Sequence, residues 1–221
     1  MEIFQGVIPV FLVVAVGALA RRLDWMSPAF AKQLNRLIFY VAVPALLIRV
    51  LGTDRAGSLS LEVLAATVLA TVLITVAGIG VAWMLRVPRE RFGVLVQAAG
   101  RGNLVFMAFP VIFAAGGDAA LRIAALLAAV LIPLQNILSV AVLGASTGRR
   151  GWNLVTSVVL NPIVLGVAAG LVWAGLEIDA PRFVDTFLEL LGAIAMPGAL
   201  LAVGAQLELA DVRVWLGEVT A

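Results

Sequence analysis

The chain has 221 residues, 63% of them hydrophobic and 13% charged, with a mean hydropathy of +1.12; a soluble domain holds roughly 45–50% apolar residues, so this composition reads as an integral membrane protein. Cysteine and histidine are absent, which removes disulfides, thiolate chemistry and the commonest metal ligand and general base, and no enzyme is expected. The net charge is only +2, and the basic residues fall mostly in short loops, where they read as topology signals and not as a nucleic-acid surface.

Seven apolar segments follow in chain order: Phe4–Ala20, Leu34–Leu51, Leu61–Leu85, Phe92–Ala115, Ala119–Ser146, Leu154–Gly175 and Phe187–Ala205. The connections between them are too short for anything but a helical bundle, so the expected fold class is an all-α polytopic membrane protein with seven transmembrane helices. The first segment has no basic stretch before it and no small-residue cleavage site after it, and is taken as an uncleaved span. Pro133 would kink the long fifth segment.

Orientation follows from the loops. Arg21, Arg22, Lys32, Arg36, Arg86, Arg89, Arg91, Arg149 and Arg150 collect on one side, nine basic residues against Arg49, Arg55, Arg122 and Arg182 on the other. The positive-inside rule therefore predicts a cytoplasmic (inner) membrane protein with its N-terminus outside. Trp25, Trp83, Trp152, Trp173 and Trp215 fall at or near span ends, as an aromatic belt would.

The fourth segment departs from a plain span. Gly100-Arg-Gly-Asn-Leu-Val-Phe-Met-Ala-Phe-Pro110 places an arginine at depth, which costs at least ~2.5 kcal/mol, between two glycines and ahead of a proline that removes a backbone hydrogen bond. Irregular backbone survives at membrane depth where it lines a cavity or packs inside protein, so a broken helix bordering a solute cavity is predicted.

Adding 153 to the residue number aligns Pro9–Gly17 with Pro162–Gly170, with five identities in nine, and Ala42–Leu47 with Ala195–Leu200, where Pro44 meets Pro197. Five spans separate the two copies, and an odd number inverts the second, a pattern typical of secondary transporters. Residues 1–150 read as the first five-span repeat. Residues 151–221 read as an incomplete inverted second repeat of two spans and the start of a third. A full second copy would need about 80 further residues, roughly three spans, so the chain is expected to be the first seven spans of a ten-span protein.

Four motifs in register with this topology carry a family resemblance. They are Asn35-Arg-Leu-Ile-Phe-Tyr-Val-Ala-Val-Pro44-Ala-Leu-Leu47, Arg101-Gly-Asn103-Leu-Val-Phe-Met-Ala-Phe-Pro110, Asn161-Pro162 and Met196-Pro197-Gly-Ala-Leu-Leu-Ala-Val-Gly204-Ala-Gln206. Over essentially its whole length the chain resembles the auxin efflux carrier family of permeases. The resemblance implies ten spans in two inverted repeats, a scaffold and a transport domain, and two proline-broken helices crossing at the substrate site. Prokaryotic members of that family handle small organic anions such as malate or malonate, and plant members auxin. The Arg101–Pro110 helix would be the first crossing helix; the second falls among the missing spans.

The expected function is therefore a secondary transporter of small carboxylate-bearing anions working by alternating access. The alternative is a non-transporting remnant or subunit that needs a partner for the missing spans. Arg101 would meet a substrate carboxylate, with Asn103 and broken-helix amides as further donors; the plain alternative is an arginine reaching the membrane surface or paired with carbonyls. Pro110, Pro44 and Pro197 would be hinges or site walls, or tolerated kinks. Gln135, Asn136 and Ser139 would coordinate substrate or a cation, or instead make interhelical hydrogen bonds worth roughly 0.6 kcal/mol each. Glu189, near the outer end of its span, is the coupling candidate and otherwise an ordinary helix-end charge, as is Glu62. Gln206 reads as interfacial, and Gly17, Gly78, Gly80, Gly166 and Gly170 as close-packing positions. The partners expected are a small organic anion and the lipid bilayer, with self-association into a homo-oligomer an option and no nucleic acid. No cofactor or metal is expected beyond proton or sodium coupling.

Overall fold

The computed structural model describes residues 2–53, 60–100, 102–147 and 160–207, and every described element is helical. In chain order these are α1 (Glu2–Arg22), α2 (Pro28–Leu37), a π-turn (Ile38–Ala42), α3 (Val43–Thr53), α4 (Leu61–Met84) and α5 (Arg89–Gly100). A second π-turn (Leu104–Ala108), α6 (Phe109–Thr147), α7 (Pro162–Leu176), α8 (Arg182–Ala193) and α9 (Ala195–Ala205) follow. Among the described residues, four stretches are long and apolar enough to cross a membrane: Pro28–Gly52, Leu61–Met84, Arg91–Ser139 and Arg182–Ala205. Pro162–Leu176 is a shorter apolar helix.

Local chemistry accounts for where these helices start and bend. Ser27 Oγ accepts the Phe30 N–H (3.1 Å) and Ser60 Oγ that of Val63 (3.3 Å), each satisfying an amide that the first helical turn leaves without a partner. Both π-turns end two residues before a proline. The Val43 N–H bonds to Ile38 O ahead of Pro44, and the Phe109 N–H to Leu104 O ahead of Pro110. A proline ring clashes with the carbonyl four residues back, and the wider π-turn moves that carbonyl aside. Near Pro197 the helix is instead interrupted at Ile194, which divides α8 from α9. The helix continues through Pro133, and the non-helical residue inside α6 is Gly117, at φ 64° and ψ −156°. Only glycine adopts that backbone readily, and it turns the fourth apolar segment into the fifth.

Two helix pairs form the tightest contacts. Gly17 of α1 lies against the Leu201 backbone of α9, and Gly204 of α9 against the Val14 backbone of α1. On the other side, Gly166 and Gly170 of α7 lie against α3: a Cβ at Gly166 would stand 2.9 Å from Pro44 Cα, and one at Gly170 2.9 Å from Leu51 Cβ. Without a hydrophobic drive inside lipid, such close backbone approach is what holds helices together. Gly17, Gly166 and Gly170 are thus close-packing positions and Gly78 is in ordinary contact, whereas Gly80 has open space beside it and is corrected on that point.

The core gathers Ile38, Leu47, Leu51, Leu121 and Ile163, all essentially inaccessible, from the first π-turn, α3, α6 and α7. Large apolar side chains such as Leu69, Leu73, Ile74, Val76 and Trp83 stand exposed along α4. In a membrane protein that face is solvated by lipid tails.

Candidate functional site

The segment after Gly100 positions the site. Arg101 itself lies outside the described residues. Helix α5 ends at Gly100, Gly102 and Asn103 are non-helical, and the chain becomes helical again at Leu104. Asn103 Oδ1 accepts the Phe106 N–H (3.2 Å), and Asn103 O accepts the Ala108 N–H (3.1 Å), so Asn103 caps the new helix start.

A cavity of about 310 Å³ opens beside this start, with Asn103, Gln135, Asn136 and Asn161 as its polar side chains and Phe39, Phe106 and Ile132 among its apolar wall. Two helix N-termini reach it. One is the Leu104 end of the broken segment; the other is α7, where Asn161 Oδ1 accepts the Ile163 N–H (2.9 Å) and Pro162 occupies the first turn. Each N-terminus carries roughly half a positive charge from the aligned peptide dipoles. Four amide side chains and two positive helix ends around one space suit an anion with several acceptor oxygens, such as a carboxylate.

A second cavity, of about 450 Å³, lies further along the same segment. Pro9, Pro110 and Pro197 contribute to its wall, together with Arg49, Asp118 and Glu189. Arg49 Nε donates to Asp185 Oδ1 (3.0 Å), and Arg49 Nη2 pairs with Glu189 Oε2 (3.3 Å), so the guanidinium ties α3 to α8. From Asn103 in the first cavity to Pro110 in the second is seven residues, about 10 Å along a helix. Val105, 8% exposed and on the wall of the first cavity, and Phe109, 2% exposed, both belong to the buried core.

Of the residues singled out from sequence, Asn103, Gln135 and Asn136 therefore share one cavity, while Pro110, Pro197 and Glu189 share the other. Pro44 lines neither and packs against Gly166. Ser139 joins Gln135 in a much smaller space facing Thr75 and Gln97. Gln206 lines a separate basic pocket with Arg21, Lys32 and Asn35.

Three participants escaped the sequence reading. Asn161 stood only as part of a motif, although Asn before Pro is a helix-start signal. Arg49 was counted as a loop-side charge. Arg122, also counted so, is 6% exposed and donates from Nη1 to Val50 O (3.3 Å), holding the C-terminal end of α3; nothing short of tertiary packing would place it there.

The comparisons with known proteins agree with this architecture. The profile of a family described as membrane transport protein matches residues 2–150. An uncharacterized transporter of Methanocaldococcus jannaschii is 24% identical over 214 residues, covering 91% of this chain and 68% of the relative. That family is one of transporters and not of enzymes. With two thirds of its length matched and a multi-pass helical structure to accompany the match, the chain belongs to the membrane transport protein family of the auxin efflux carrier type.

Proposed function

We propose that the protein is a secondary transporter of small organic anions, carboxylates above all, and that the Asn103 cavity takes the anion. The observation that carries this reading is the meeting of two asparagine-capped helix N-termini, at Asn103 and Asn161, on one cavity that also holds Gln135 and Asn136. In this proposal Arg101, the sequence neighbour of Gly102, is the residue whose full positive charge would meet the carboxylate.

Alternating access suits the pair of cavities. They touch the same broken segment seven residues apart, at Asn103 and at Pro110, so a shift of that segment would open one as it closes the other. In the orientation predicted by the basic loops, with the N-terminus outside a cytoplasmic membrane, the Asn103 cavity at the start of α7 faces inward and the Pro110 cavity outward.

The inverted repeat in a seven-span chain is part of the same reading. Its support is the reciprocity of the tight helix pairs. Gly17 meets Leu201 and Gly170 meets Ile48, and the offset of 153 that relates Gly17 to Gly170 also relates Ile48 to Leu201.

The test is uptake of labelled malonate and malate into liposomes containing the purified protein. Saturable uptake above that of empty liposomes, competed by unlabelled carboxylates and not by amino sugars, is expected. Uptake equal to that of empty liposomes for every carboxylate tried would overturn the reading.

A further inference from the structure

The break between Gly100 and Leu104 has two ends of opposite polarity. The Leu104 side is a helix start, positive and facing the amide-lined cavity. The Gly100 side is the end of α5, where the last carbonyls lack helical partners and the dipole is negative. Beside that negative end the structure leaves a small space of about 10 Å³, lined by Thr75 of α4, Gln97 and Gly100 of α5, and Gln135 and Ser139 of α6. Among the described residues, Thr75 is the member of this group whose side chain makes a hydrogen bond, donating to Thr71 O (2.9 Å). Its hydroxyl lone pairs, the two amide oxygens and the Ser139 hydroxyl remain to serve something else.

We propose that this space is a binding site for a partly dehydrated alkali cation of sodium size, and that Gln135 links its occupancy to anion binding in the Asn103 cavity. The volume admits one water-sized particle and excludes any organic solute. The ligands on offer are hard, neutral oxygens at a helix C-terminus, the arrangement by which broken helices coordinate sodium. Among the described residues that line the space none is a carboxylate, so a divalent cation would lack the charged ligands it needs, and none titrates near neutral pH to hold a coupling proton. Gln135 lines both spaces. A cation that fixes the Gln135 carbonyl oxygen orients its amide N–H donors for an anion, and the cation's own charge favours a carboxylate close by.

The linkage rests on the transporter reading; the cation site does not. The test is thermal unfolding of the purified full chain in detergent, with sodium chloride exchanged for choline chloride at constant ionic strength, and with malonate titrated in each salt. Sodium is expected to raise the midpoint saturably while choline does not. Ser139→Ala and the near-isosteric Thr75→Val should each raise the half-saturating sodium concentration at least tenfold, and the second variant guards against misfolding of the first. Sodium and malonate should strengthen one another's binding by the same factor, as linkage requires.

Coincident sodium and choline curves would overturn the site, showing that the space holds no sodium. A sodium effect untouched by both substitutions would overturn its location. A malonate shift without a sodium shift would sink the cation site and leave the transporter reading standing. A sodium shift without any malonate shift would keep the site and overturn the linkage together with the anion reading.

Discussion

The two cavities on the broken segment, of about 310 and 450 Å³, are opposite in chemistry. Around Asn103 the polar groups among the described residues are neutral amides and helix starts, and the charge these offer is the partial positive charge of peptide dipoles. Around Pro110 the polar groups are fully charged, but Arg49 is already engaged by Asp185 and Glu189, and Asp118 adds a further acid to the wall. A carboxylate entering the second cavity would meet an arginine whose charge is answered and acids that repel it. Entering the first, it would find donors fixed in place without their own counter-ions. Net charge is thus a poor guide to anion binding here, and uncompensated donors are a better one.

Displacing α7, whose start borders the first cavity, should have the largest effect. Gly166→Val would drive a side chain into the Pro44 backbone, where a Cβ alone comes within 2.9 Å. The displaced α7 should cost about 1–3 kcal/mol of stability and abolish transport, read by thermal unfolding and uptake side by side. Asn161→Asp comes next. Asp caps a helix as well as Asn does, so stability should hold, while a like charge facing the anion costs several kcal/mol and should reduce carboxylate affinity at least about 100-fold.

Asn103→Ala removes a hydrogen bond to a charged ligand, worth about 1.5–3 kcal/mol or roughly 10–100-fold in affinity, and a cap worth about 1 kcal/mol. The smallest effect belongs to the other cavity. Arg49→Ala breaks ion pairs whose side chains are 33–56% exposed, worth at most about 1 kcal/mol, and should leave anion affinity within about threefold in a binding titration.

Much of this arrangement was legible before any coordinates. Hydropathy marks the spans, and the oddity of Gly100–Pro110 marks the break, because polar and helix-breaking residues are costly in a membrane and need a reason to be there. Asn103, Gln135 and Asn136 were legible as candidates on the same ground, though only tertiary structure brings residues more than 30 positions apart onto one wall. Asn161 was not legible as a site residue, since a capping role explains an Asn-Pro pair without any ligand. Pro110 was expected beside Asn103. It faces the other cavity because the π-turn before it carries the helix seven residues past the break. Arg49 is a loop-side charge by sequence, and its pairing with Asp185 depends on how α3 and α8 pack, 136 positions apart.

The most direct test of where the anion binds is a malonate titration of the purified protein beside its Asn161→Asp and Arg49→Ala variants, followed by calorimetry. The expected result is measurable binding by the unsubstituted protein, loss of it in Asn161→Asp with the fold intact, and near-normal binding in Arg49→Ala. Binding that survives in Asn161→Asp and disappears in Arg49→Ala would contradict the assignment and move the anion to the proline-walled cavity.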